Sequence, residues 1–168
     1  PATHGTSFTY QVRIVDAVGN VDANTASQAV TIDAAAPTAP SITSIVENGG
    51  GGINAIQASD GTPVVVGLAG TGAAAGDTLT VNWGSQAVTY TLLAADISAS
   101  SATVTVPLAT ITAQGQGTFD VTARLTDAAG NVGATSGAFP VTVDAAAPTA
   151  TVAITAITTD SGTSSSDY

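Results

Sequence analysis

Two short segments carry the side chains best suited to chemistry, Asp16-Ala-Val-Gly-Asn20 and Asp127-Ala-Ala-Gly-Asn131. Each sets a carboxylate and a side-chain amide four positions apart around a glycine, and that spacing serves two purposes. In a tight turn, the aspartate accepts from backbone amides while glycine and asparagine tolerate positive φ. In a cation site, the same oxygens contribute to the roughly six to eight hard-oxygen positions that calcium takes. Further acids follow in sequence, Asp22 and Asp33 after the first segment and Asp144 after the second. Two parallel calcium-ligand sets are therefore nominated: Asp16, Asn20, Asp22 and Asp33, and their later counterparts Asp127, Asn131 and Asp144. The turn role of the Asp-to-Asn segments holds with or without an ion. Asp33 and Asp144 also have a plainer role, capping the chain before a stiff Ala-Pro segment. Glu47, Asp60, Asp77 and Asp160 read as acids that solvate loops.

Catalysis finds little to work with. His4 is the single histidine, cysteine is absent, and no Gly-x-Ser-x-Gly elbow occurs. Paired acids at turn ends imitate a glycosidase dyad, but that chemistry needs a cleft holding one carboxyl protonated. No catalytic residue is nominated, and the chain is read as non-enzymatic. Trp83 and Tyr90, on strands flanking Gly84-Ser85, could stack on a sugar, but packing against each other across the hairpin is the favoured role. Arg13 and Arg124 each stand three residues before an aspartate, which suggests surface cross-strand ion pairs.

The charge balance removes other classes. Twelve acidic residues face two arginines, for a net charge of −10, so no positive field exists to recruit nucleic acid or an anionic membrane. Apolar runs such as Val64-Val65-Val66 are far shorter than the roughly 18 residues that span a bilayer. With neither cysteine nor lysine, disulfide and Lys–Asn or Lys–Asp isopeptide staples are both unavailable to the fold.

The elements that position the acids emerge from an internal repeat. Phe8 to Asn20 runs parallel to Phe119 to Asn131 at an offset of 111 residues, with Arg13 over Arg124 and Asp16 over Asp127. The same offset lays Asp33-Ala-Ala-Ala-Pro37 over Asp144-Ala-Ala-Ala-Pro148. Residues 1–36 thus read as the closing part of one repeat, 37–147 as a complete repeat, and 148–168 as the opening of the next. Inside the complete repeat, period-two runs rich in Val, Ile and Thr alternate with Gly, Asp, Asn and Ser clusters. Strands are expected at 41–46, 63–67, 78–83, 87–92, 103–107, 117–126 and 138–143. A helical turn is expected at 92–98, with helical periodicity otherwise missing. Pro140 suggests an edge position or a bulge. The resulting fold class is all-β, tandem immunoglobulin-like β-sandwich domains of about seven strands each.

A turn Asp127-Ala-Ala-Gly-Asn131, then Val141-Thr-Val-Asp-Ala-Ala-Ala-Pro148, and a glycine-rich loop ending in Ile53-Asn-Ala55, together resemble the bacterial immunoglobulin-like repeats of large biofilm-associated adhesins exported by type I secretion. This resemblance implies an extracellular, cell-surface location and a spacer role in adhesion or biofilm formation, with calcium at or near domain junctions. It departs from the family at Ile56-Gln57-Ala58, where an acidic residue often follows the Ile-Asn-Ala segment. Neighbouring repeats of the same chain are the expected partners, with host or abiotic surfaces engaged through other domains. Two alternatives stay open: a subunit of an extracellular filament or S-layer, and a glycan-binding module.

Overall fold

The computed structural model describes residues 3–49 and 52–155. Asp160 and the rest of the nominated next repeat after residue 155 lie outside the described residues.

Seven strands build the central unit: β3 (Ser41–Ile45), β4 (Thr62–Gly67), β5 (Thr78–Trp83), β6 (Gln86–Thr91), β7 (Ser101–Val106), β8 (Gly117–Thr126) and β9 (Phe139–Val143). They form two antiparallel sheets, ordered β3-β4-β7 and β6-β5-β8-β9, making an all-β sandwich. β6 extends the sheet beside β5 instead of crossing to β7, so the strands divide three and four. Pro140 lies in β9, an edge strand, where its missing N–H costs the sheet no bond.

Alternation explains why these segments are strands. Thr62, Val64 and Val66 of β4 point inward together with Ala102, Val104 and Val106 of β7. Leu79, Val81 and Trp83 of β5 meet them from the other sheet, with Val121, Ala123 and Leu125 of β8. Trp83 is wholly buried, edge to face with Phe119 at 5.5 Å between ring centroids. Burying each aliphatic side chain of this size contributes about 1.5–3 kcal/mol, so the valine-rich interior supplies the stability that no staple can.

Three short helices complete the unit: α1 (Ala55–Ala58), α2 (Ala94–Ala99) and α3 (Leu108–Gln114). The expected turn at 92–98 is α2, whereas α1 and α3 correct the expectation of no other helix. Their spans are too short to show a 3.6-residue period; a capping box defines α1, and flanking Pro107 and Gly115 bound α3. The Asn54 side chain accepts from the Ile56 and Gln57 amides while Gln57 Oε1 accepts from the Asn54 amide, closing a capping box on α1. α3 starts after Pro107, buries Ile111, and ends at Gly115 with φ +86°.

Ahead of this unit, β1 (Ser7–Val12) and β2 (Ala26–Thr31) form a separate two-stranded sheet. Its register repeats that of β8 and β9: Ser7 faces Thr31 as Thr118 faces Thr142, 111 positions later, and both hydroxyl pairs lie 2.9 Å apart. Burial differs sharply. Tyr10, Val12 and Ile14 are 60%, 67% and 72% exposed, whereas their counterparts Val121, Ala123 and Leu125 are fully buried. β1 and β2 thus carry the apolar face of a closing strand pair, with no sheet over it among the described residues.

Candidate functional site

The Asp127 turn is a closed loop of hydrogen bonds. Its carboxylate accepts from the Asn131 backbone amide at 2.8 Å and from the Asn131 side-chain amide at 2.8 Å. The backbone adds Asp127 N to Asn131 O at 3.1 Å, and Gly130 takes φ +90°, which its missing Cβ permits. The Asp16 turn is the same object, with Asn20 donating to Asp16 from backbone and side chain at 2.7 Å each. The Asn131 side-chain amide holds the Asp127 carboxyl below its ordinary value of 3.8, backbone amides assist, and desolvation opposes. Asn20 does likewise for Asp16.

The Asp127 turn also reaches the linker that enters the central unit. The Asn131 side-chain amide donates to the Asp33 carbonyl at 3.2 Å. Asp33 faces His4 Nδ1 at 3.1 Å, and the same nitrogen accepts from the Ala34 amide at 3.2 Å. One nitrogen cannot do both at once. The contact to Ala34 belongs to the ring with Nδ1 unprotonated, and the ion pair to the protonated ring. Beneath lies Asp77, only 4% exposed, whose two oxygens accept from the Ala74 amide at 2.8 Å and the Ala128 amide at 3.2 Å. Asp77 is therefore a buried tie between the 74–77 loop and the Asp127 turn, a correction to its expected role as a solvating acid. Its position next to Gly76, ahead of a core strand, was the available signal. His4, Asp33, Asp77 and Asp127 line one cleft of ≈ 400 Å³ with several alanines.

The two nominated ligand sets are distributed differently. Asp33 joins Asp127 and Asn131 at the incoming end of the central unit, while Asp144 lies at the outgoing end, its amide donating to the Ile53 carbonyl at 2.9 Å. Likewise Asp16 and Asn20 follow β1, whereas Asp33 follows β2 at the other end of the hairpin, roughly 17 Å of paired strand away. Antiparallel pairing forces this, because the chain leaving the second strand returns to where the first began. Asp22 turns to Asn24, accepting its backbone amide at 2.9 Å. Glu47 and Asn48 also stay within the unit: Glu47 accepts from Thr62 Oγ1 at 2.7 Å and Asn48 donates to the Pro140 carbonyl at 2.9 Å.

As a calcium site the incoming cleft offers an incomplete shell. Among the described residues, no three His, Asp or Glu side chains are grouped to hold one metal ion. The Asp127 and Asp77 oxygens already accept protein N–H groups, and the Asn131 side chain presents its N–H₂ to the Asp33 carbonyl. The cleft's geometry holds two chain segments together, and a cation would need oxygens beyond these side chains.

Other expected sites resolve as packing. Trp83 is buried and presents no ring for stacking on a sugar. It faces Gln86 across the hairpin, while Tyr90 faces Leu79, so the two aromatics do not pair. The Tyr90 hydroxyl donates to Asp96 at 3.0 Å, and that bond raises the phenol above its ordinary value of 10.0. Arg124 faces Thr80, and among the described residues neither arginine lies within ion-pair distance of an acid. No helix among the described residues is long and apolar enough to cross a membrane.

No protein-family model and no curated protein matches the chain. Among solved structures, a 1.5-MDa bacterial ice-binding adhesin, described with its retention at the host cell surface, is 27% identical with a TM-score of 0.44, over 83% of this chain. A Ca²⁺-stabilized adhesin with which an Antarctic bacterium reaches out and binds ice is 27% identical with a TM-score of 0.43, also over 83%. The chain spans 42% and 32% of those two structures.

Proposed function

We propose that the chain is a spacer segment in the stalk of a large bacterial surface adhesin, outside the cell, built from tandem sandwich repeats and serving adhesion or biofilm formation without catalysis. The observation carrying this reading is geometric repetition. Strand register, hydroxyl pair and Asp-Asn turn all recur 111 positions apart, and the linker between the two copies is bonded to the second. Repeats with their own cores, joined by short bonded linkers, hold a distance between their ends, which is what a stalk requires. In this reading the repeats are 1–36, 37–147 and 148–168 in part or whole, and their partners are one another; surfaces are engaged elsewhere in the protein.

Calcium belongs to the proposal as a ligand of the array at Asp16, Asn20, Asp22, Asp33, Asp127, Asn131 and Asp144, with backbone carbonyls and water completing any shell. The turns close without it. Solution scattering of the protein in millimolar calcium and in chelator tests both parts. An extended particle in both conditions supports the spacer with protein-only joints, and extension confined to calcium adds the ion. A collapsed profile in both, or polymerisation into filaments, overturns the spacer.

A further inference from the structure

The incoming linker lies directly over a glycine. A Cβ built on Gly133 would overlap the carbonyl oxygen of Pro37 and stand 3.2 Å from both the Pro37 carbonyl carbon and the Leu125 carbonyl oxygen. All three are backbone atoms, so no rotamer change relieves the clash. Gly133 has no positive φ; space alone demands glycine here. The Pro37 carbonyl belongs to the peptide whose N–H, on Thr38, donates to the Thr71 carbonyl at 2.9 Å, and Pro37 itself is buried. Seating of the linker therefore depends on an empty position at 133.

The repeat offset places Asp22 at the equivalent position. The backbone there is the same: Asp22 N donates to the Ile14 carbonyl at 2.9 Å, as Gly133 N donates to the Leu125 carbonyl at 2.8 Å. The adjoining bridges match as well, Val15 to Val21 and Thr126 to Val132. Only the side chain differs. Where Gly133 accepts a linker carbonyl against its face, Asp22 projects a carboxylate that binds Asn24 at 2.9 and 3.1 Å. A carboxylate there excludes a linker carbonyl twice, by volume and by like partial charge.

We infer that the residue at this position sets the kind of joint a repeat makes with the linker entering it: glycine seats the linker, and aspartate holds it off. The chain carries one of each, so by this rule the joints of the array are unequal: closed at Gly133, and open for a linker that enters a repeat with aspartate at this position, as at Asp22. This rests on the tandem reading above, and it names which interfaces in that array are tight.

The test transfers the open-joint residue to the closed joint. Amide hydrogen exchange is measured on the 168-residue chain and on Gly133→Asp, Gly133→Ala and Gly137→Ala. In Gly133→Asp the Thr38 amide exchanges at least about ten-fold faster, while Val81 and Val121 amides in the core keep their protection. Gly133→Ala shows the same change to a smaller extent, and Gly137→Ala, whose added Cβ meets nothing within 4 Å, leaves Thr38 unchanged. Unaltered Thr38 protection in a folded Gly133→Asp chain overturns the inference. Should that variant fail to fold, unaltered Thr38 protection in Gly133→Ala overturns it equally. A collapsed or polymeric particle in scattering defeats the spacer reading but leaves the Thr38 result standing, so the two failures are distinguishable.

Discussion

The side-chain amide of Asn131 donates to the carbonyl of Asp33, 98 positions earlier in the chain, while also donating to Asp127 within its own turn. Its counterpart Asn20 makes only the second kind of bond among the described residues. Asn131→Ala should therefore loosen both turn and linker, and Asn20→Ala the turn alone. Loss of one neutral hydrogen bond costs about 1 kcal/mol, so the extra effect of the Asn131 variant is small. It is best read as faster amide exchange at Ala34 and Thr38. Equal exchange in the two variants would show that the Asn131–Asp33 bond does not hold the linker.

Acid should open the turns in a narrow window. Asp127 and Asp16 have carboxyls lowered from 3.8 by the asparagine beside each. A group lowered in the folded state contributes stability that is fully present above its unfolded value and is lost as pH falls through the folded one. Thermal midpoints should therefore drop below about pH 4, and Asp127→Asn should be less stable at pH 6 yet less sensitive to acid. General discharge of the −10 net charge affects parent and variant alike, so the difference between their pH profiles isolates the turn. Parallel profiles would remove the turn carboxylate as the cause.

Trp83→Ala should cost about 3–5 kcal/mol in urea unfolding, as expected for a large side chain removed from a packed core. Trp83→Phe should cost much less. The indole Nε1 is buried without a hydrogen-bond partner, so losing it offsets part of the lost packing. Tryptophan fluorescence should resist acrylamide quenching in the native protein, and ready quenching would contradict the burial.

Gly61→Ala tests backbone strain inside the sandwich. Gly61 has φ +87°, and a Cβ there would lie 2.8 Å from Thr105 Cγ2 and 2.9 Å from the Val106 carbonyl oxygen. Both the conformation and the space oppose any side chain. A destabilisation of about 1–3 kcal/mol is expected in chemical denaturation, against little change for Gly137→Ala, whose added Cβ meets nothing within 4 Å.

The strands were legible because their signal is periodic and local. Thr78–Trp83 and Gly117–Thr126 fall where alternation places them, and the other five differ by a residue or two at their ends. α1 was hidden because it is four residues fixed by the Asn54–Gln57 box, which leaves no period to read. The candidate site was half legible. Repetition identified Asp127 and Asn131 as one turn, and Asp33 as a linker acid. Adjacency along the chain then suggested that each turn joins the linker that follows it, whereas the sandwich delivers Asn131 to the linker that precedes it. Asp77 went unrecognised because its partners, the Ala74 and Ala128 amides, lie on two separate loops.

The first and last strands of the central unit, β3 and β9, sit at edges of different sheets, each hydrogen-bonded to one antiparallel neighbour. A chain pulled by its two linkers drags β3 and β9 lengthwise in opposite directions. Each therefore loads its ladder in shear, with the bonds of the ladder sharing the force, instead of peeling them one at a time. Between the two strands the load is shared by the valine and tryptophan interior and by the backbone bonds that tie Ile53 to Thr142 and Asp144, so under tension the core and this tie together become a tendon.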